Sequence, residues 1–281
     1  MSYNDHCFML LRHGDRDRYL ATLFAPQSKR SALAALYAFN LEIARIRDMI
    51  REPLIGEIRL KYWRDAIEND TRENDANPIL QALLTTIDDY HLSKEAFVRM
   101  CDARVFDLYN DPMPDMSAFE AYCGETASIV LQLSCQILDQ SSAKDAYDAC
   151  GHGGVVQAIA GLLRRLPVSQ SRGQFYLPTD FILALGVTSD SLLSNKATDK
   201  ERKRVVDAFL SLGREHYRKF RANFSSLPKI LHPAFLPLAT VPTVFKKIET
   251  KSGDIFHDDI SLSPLHHYWL FMKTAILGHM L

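Results

Sequence analysis

Apolar residues recur along most of the chain at spacings of three and four, the repeat of helices that bury one face. Between Ser31 and Ile50 they fall at Leu33, Leu36, Tyr37, Phe39, Ile43, Ile46 and Ile50, and Pro53, which lacks an N–H, closes the run. The next helix is expected from Ile55 to Glu68 with Ile58, Trp63 and Ile67 on its buried side, and the polar stretch Asn69 to Pro78 reads as a loop. Further helices are expected at Pro78 to Tyr90, Ser93 to Tyr109, Ser117 to Leu138, Asp145 to Leu166 and Arg202 to Phe224. Ser117 with Glu120, and Thr198 with Glu201, have the spacing of a capping box, in which hydroxyl and carboxylate each satisfy a free backbone N–H. No stretch alternates with the period of a strand, and no internal repeat is visible. The pattern predicts an all-α chain, a single domain over residues 1–281.

With 281 residues, 47% of them hydrophobic, the chain can bury a large core. Thirty-three basic against thirty-four acidic residues leave a net charge of -1, which gives no electrostatic reason to expect nucleic acid as a partner. The five cysteines are scattered without a CxxC pair, the usage of a reducing compartment. The histidines lack zinc-ligand spacing, so no structural metal site is expected. The first residues do not read as a secretory or mitochondrial leader, and no stretch has the length of a membrane span. The expected location is cytoplasmic.

Three separated segments carry a resemblance. Pro26 and Arg30 precede Tyr37-Ala38-Phe39; Tyr122-Cys123 is followed by Ala127; and Leu162-Leu163-Arg164 is followed by Gly173, Tyr176, Leu177 and Pro178. In this order and at these separations they resemble the squalene/phytoene synthases, prenyl transferases that join two isoprenoid diphosphates head to head. The resemblance implies an isoprenoid-synthase-type helical bundle with a central cleft. It also implies two DxxxD motifs holding Mg²⁺ against the diphosphate, since magnesium prefers carboxylate, phosphate and water oxygens.

Carried over residue by residue, the first motif falls on Ala44 and Asp48 and the second on Arg165 and Ser169. Only Asp48 is a carboxylate. Arg45 stands where the family has a further aspartate, Ala158 and Gly161 replace its upstream Gln and Asn, and Gln174 replaces the arginine of its GR pair. Pro167 predicts a kink or helix end near Leu166, which would take the two second-motif positions off a shared face. These departures imply lost Mg²⁺-dependent ionisation. No cofactor is expected, with Mg²⁺ at Asp48 only if an active synthase has been rebuilt from acids elsewhere.

A second set of residues resembles one branch of that family. Asn40-Leu41-Glu42, Ile55 to Leu60, Tyr62-Trp63-Arg64, Phe175 to Pro178, His232 to Pro237 and Asp254-Ile255-Phe256-His257 are similar to the branch containing the mitochondrial respiratory complex I assembly factor. That likeness implies a synthase-like fold used in assembling NADH dehydrogenase, with complex I subunits or intermediates as partners.

Several residues admit two readings. Arg45, Arg59, Arg64, Arg164 and Arg165 form either a metal-free site for a diphosphate or anionic lipid, or ion pairs with Glu42, Asp48, Glu57 and Asp65. Asp48 is either a residual metal ligand or a salt-bridged acid. Tyr37, Phe39, Tyr122 and Tyr176 would line an isoprenoid cavity by the resemblance, or pack as core. Trp63 and Trp269 are expected as packing residues, and Arg172-Gly173 as a turn. The apolar run from Pro264 to Leu281 is either a peripheral membrane or partner contact, or a terminal core helix. The leading reading is a non-catalytic assembly or accessory protein; an active prenyl transferase using farnesyl or geranylgeranyl diphosphate and a metal-free lipid carrier are the alternatives.

Overall fold

The segment around Tyr37 becomes the axis on which the other helices pack. In the computed structural model, which describes residues 2–251, 254–256, 260 and 262–277, α1 (Tyr3–Gly14) and α2 (Arg16–Phe24) lead into α3 (Arg30–Ala44). Every residue of α3 from Ala32 to Asn40 is buried, as expected for a helix apolar on all sides. Helices α1, α6 (Pro78–Asp89) and α9 (Ile129–Leu138) pack around it. The helix does not run on to Ile50: Arg45, at φ −95° and ψ 0°, interrupts it before the short α4 (Ile46–Met49).

Pro53 begins α5 (Pro53–Glu68), a position where its missing N–H costs nothing. The buried face of α5 is Gly56, Leu60, Trp63 and Ile67; Ile58, expected there, is 61% exposed. Leu54, Ile58 and Tyr62 form a second apolar stripe at four-residue spacing, so periodicity alone does not choose between the faces. Trp63 packs as expected, edge-on to Phe39. Helix α7 (Lys94–Arg104) stops earlier than its pattern suggests and tightens into a 3₁₀ turn over Val105–Leu108.

The expected helix from Ser117 to Leu138 is α8 (Met116–Cys123), a π turn (Gly124–Ser128) and α9. Its capping residue is Asp115, whose carboxylate accepts from the Ala118 N–H at 2.8 Å. Ser117 and Glu120 therefore do not form the expected box: the extended backbone of Asp115 turns into helix two residues sooner. Helix α10 (Tyr147–Arg164) crosses the π turn, and Gly154 is what permits the contact: a Cβ there would lie 2.6 Å from the Ser128 Cα.

The remaining helices are α11 (Leu166–Ser171), α12 (Thr179–Ala184), α13 (Ser189–Leu193), α14 (Asp199–Phe224), α15 (His232–Phe235), α16 (Val241–Lys251) and α17 (Pro264–Leu277). Among the described residues there is no strand, and one hydrophobic cluster extends from Cys7 to Ile260. Gly173 sits at φ +70°, the left-handed turn expected after Arg172. The capping box at Thr198 is present, with Glu201 and Thr198 each accepting the other's backbone N–H. Thr198→Ala is expected to cost about 1 kcal/mol, read from a shift of the denaturant midpoint at unchanged slope.

Trp269 departs from expectation, being 55% exposed on the outer side of α17 instead of packed. His257 and residues 278–281 of the terminal apolar run lie outside the described residues. Among those described, no helix is long and apolar enough to cross a membrane.

Candidate functional site

A cavity of about 320 Å³ opens between α3, α4, the π turn, α10 and α11. Ala44, Asp48, Ala158, Gly161, Arg165, Ser169 and Gln174 all line it, although more than a hundred residues separate the first of them from the last. Pro167 does break the helix: α10 ends at Arg164, and Arg165 has left helical geometry at ψ 9° before α11 begins. Yet the Ser169 N–H still donates to the Arg165 carbonyl at 2.9 Å, holding one helical turn together. The two positions therefore stay on the same cavity wall, contrary to the expectation that the proline would separate them.

Two arginines engage Asp48. The Arg165 Nη2 donates to both its oxygens, at 3.0 and 3.1 Å, and Arg172 Nη1 to Oδ1 at 2.6 Å. Burial alone would raise the Asp48 carboxyl, but the Arg172 hydrogen bond and the Arg165 charge more than offset it and hold it below the usual carboxylate range. The guanidinium that the family places after the glycine of its GR pair here precedes Gly173, as Arg172. The Gln174 side chain in its stead donates to the carbonyls of Asp107 and Tyr109, at 2.8 and 3.1 Å.

On another wall stands a cluster the sequence did not reveal. Asp107, 6% exposed, accepts from Arg104 at 3.0 Å, from the Tyr122 hydroxyl at 2.7 Å and from the Tyr176 hydroxyl at 3.0 Å. Burial pulls the Arg104 guanidinium down, yet its aromatic and acidic neighbours, Tyr122 and Asp107, leave it raised overall and charged. Burial, then the charge of Asp107, pushes both Tyr122 and Tyr176 well above ordinary tyrosine, so both hydroxyls stay protonated as donors. The three-residue spacing of Arg104 and Asp107 was the available signal.

Arg18 and Arg47 complete a lining of five arginines against two carboxylates. Asn40 Oδ1, Arg47 Nε and Gln157 Oε1 are buried in this lining without a hydrogen-bond partner. Buried polar atoms are normally satisfied, so such orphans mark where a polar ligand would complete the set. The described lining suits an anionic head group better than a pair of long hydrocarbon chains, because its apolar members are mainly small alanines and Leu162.

Of the residues singled out beforehand, Asp48, Arg165, Tyr122 and Tyr176 meet here, and six do not. Tyr37 is buried in the core, where it accepts a hydrogen bond from Ser134 at 3.0 Å, and burial pushes its hydroxyl up to about 12. Phe39 is core between Trp63 and Phe97. Arg45 pairs with Glu42 one helical turn away, at 3.3 Å. Arg59 is exposed on α5, Arg64 pairs with Asp102 across to α7, and Arg164 points away at the exposed end of α10. Arg165 lines the cavity and its neighbour Arg164 does not.

The residues do not fit the magnesium that the family pattern implies. Asp48 already accepts three guanidinium bonds, Arg165 brings a cation to a ligand position, and Asp107 is engaged by an arginine and two tyrosines. Among the described residues no three His, Cys, Asp or Glu side chains are grouped to hold a metal ion.

Fold and cavity together define an isoprenoid-synthase-type protein, and the chain belongs to the squalene/phytoene synthase family, whose model matches residues 11–266. It is 31% identical to "NADH dehydrogenase (ubiquinone) complex I, assembly factor 6" of Rattus norvegicus, over 94% of this chain and 80% of that protein. It is 22% identical to the phytoene synthase of Arthrospira platensis, over 85% of this chain and 81% of that enzyme. Among solved structures, a dehydrosqualene synthase in complex with ligand superposes with a TM-score of 0.80 at 16% identity, covering 99% of this chain and 97% of that one.

Proposed function

We propose that this protein is a non-catalytic member of its family that serves as an assembly or accessory factor for respiratory complex I, working at the inner face of the membrane as a peripheral protein. The observation that carries the non-catalytic part is the state of Asp48. The one carboxylate left in the two motifs is neutralised by Arg165 and Arg172 instead of being presented to a metal. The complex I part is supported by the higher identity to the assembly factor than to the phytoene synthase.

Incubation with Mg²⁺ and labelled farnesyl or geranylgeranyl diphosphate is expected to give no condensed product. Product formation that Asp48→Ala abolishes would overturn the non-catalytic reading and place the chain among working synthases. Deleting the gene in its host is expected to lower assembled NADH dehydrogenase, and an unchanged level would overturn the assembly role.

A second reading, binding of an anionic or isoprenoid lipid head group without metal, is favoured by the five arginines of the cavity, among them the unpartnered Nε of Arg47. Diphosphate binding by calorimetry that is insensitive to chelator and weakened by Arg172→Gln is its expected signature.

A further inference from the structure

Helix α17 lies on the surface yet is apolar on both sides. Its inner side buries Leu270, Phe271 and Thr274, with Phe271 packed on Ala21 and Leu236. Its outer side exposes Leu265 (85%), Tyr268 (39%), Trp269 (55%), Met272 (47%) and Ile276 (71%). At three- and four-residue spacings these five side chains share one face along the helix. A surface helix of a water-soluble protein has no need of such a face.

Two cations and one carboxylate lie beside it. The Arg16 guanidinium lies 5.3 Å from the centroid of the Tyr268 ring, and the Lys273 ammonium 5.0 Å from that of Trp269. No Asp or Glu occurs between Pro264 and Leu277, and Asp17, the carboxylate that reaches this helix from α2, is paired with His267 at 2.5 Å. The 14 described residues of α17 extend about 21 Å, less than a hydrocarbon core of about 30 Å and suited to lying along its edge. Aliphatic side chains, interfacial tyrosine and tryptophan rings and flanking cations are the composition of a helix that rests in a membrane surface.

We propose that this face docks the protein on an anionic lipid bilayer. Leu265, Met272 and Ile276 enter the acyl boundary, Tyr268 and Trp269 sit at head-group depth, and Arg16 and Lys273 meet lipid phosphates. The proposal names the surface for the peripheral attachment stated above and rests on that reading only for its cellular setting.

The chain has two tryptophans, and Trp63 is buried, so a change in emission on adding lipid reports on Trp269. Vesicles of equimolar phosphatidylcholine and phosphatidylglycerol are expected to shift the emission to the blue and to co-sediment the protein, whereas phosphatidylcholine alone binds it weakly. Trp269→Glu and Leu265→Glu are expected to reduce co-sedimentation by an order of magnitude or more. Arg16→Gln and Lys273→Gln should each cost roughly fivefold on the anionic vesicles only. Ile58→Glu, on the exposed stripe of α5, should leave binding unchanged. Thermal melts of the variants verify folding.

Wild-type protein that ignores both vesicles, or binding that Trp269→Glu and Leu265→Glu leave intact, overturns the proposal. So does a dimer that dissociates on Trp269→Glu without any vesicle binding, which would assign the face to a second copy. Recovery of the Trp269→Glu protein in the membrane fraction of its host would overturn α17 as the anchor while leaving peripheral attachment standing.

Discussion

Asp107→Ala is expected to destabilise the protein by about 3–5 kcal/mol, because it strands a buried guanidinium without its counter-ion. Arg104 has only 15% of its side chain exposed, and Asp107 together with the Tyr122 hydroxyl supplies its partners. Removing the carboxylate also takes the shared acceptor from Tyr122 and Tyr176, adding two donors without a protein partner. Urea unfolding measures the loss, and the cause is tested by pairing the change with Arg104→Met. If the stranded charge dominates, the double variant is more stable than Asp107→Ala alone. A double variant no better than the single would show that the tyrosine hydroxyls carry the effect instead.

Gly154→Ala is expected to cost about 3 kcal/mol or more, despite alanine's higher helix propensity. The new methyl would lie 2.5 Å from the Ser128 nitrogen and 2.6 Å from its Cα. Backbone cannot rotate aside as a side chain does, so α10 must retreat from the π turn. Gly151 of the same helix is the control: a Cβ there meets nothing within 4 Å, and Gly151→Ala should be neutral or stabilising by up to about 1 kcal/mol. Equal effects of the two substitutions in thermal and denaturant unfolding would rule out the close approach as the cause.

The all-α class was legible because the three- and four-residue repeat runs through almost every segment; Pro78 marked a helix start, whereas Pro53, read as the close of one helix, opens the next. Where two signals lay close together, local pattern failed. Asp115 and Ser117 can both cap a helix, and only the extended backbone at Asp115 decides between them. Helix α5 has two apolar stripes, and which one is buried depends on partners such as Leu108 that lie elsewhere in the sequence.

The cavity was legible where motif positions could be carried over, since residues 44, 48, 158, 161, 165, 169 and 174 converge on it. Four of its five arginines were not. Arg18, Arg47, Arg104 and Arg172 come from different elements, and a long flexible side chain can reach the cavity or leave it according to a rotation that spacing does not encode. Arg164 and Arg165 show the difference that one residue makes.

The helical turn that survives between Arg165 and Ser169 has a consequence for how such a chain can change its role. Ala44, Asp48, Arg165 and Ser169 still look into one chamber across two kinked helices, so the difference from the motif's metal-binding pattern lies in the side chains displayed and not in the frame displaying them. A scaffold of this kind can diverge by exchanging a handful of residues at fixed stations, each step tolerated while the walls stand. The bundle is thus a reusable architecture, in which side chains at these stations can be exchanged without refolding.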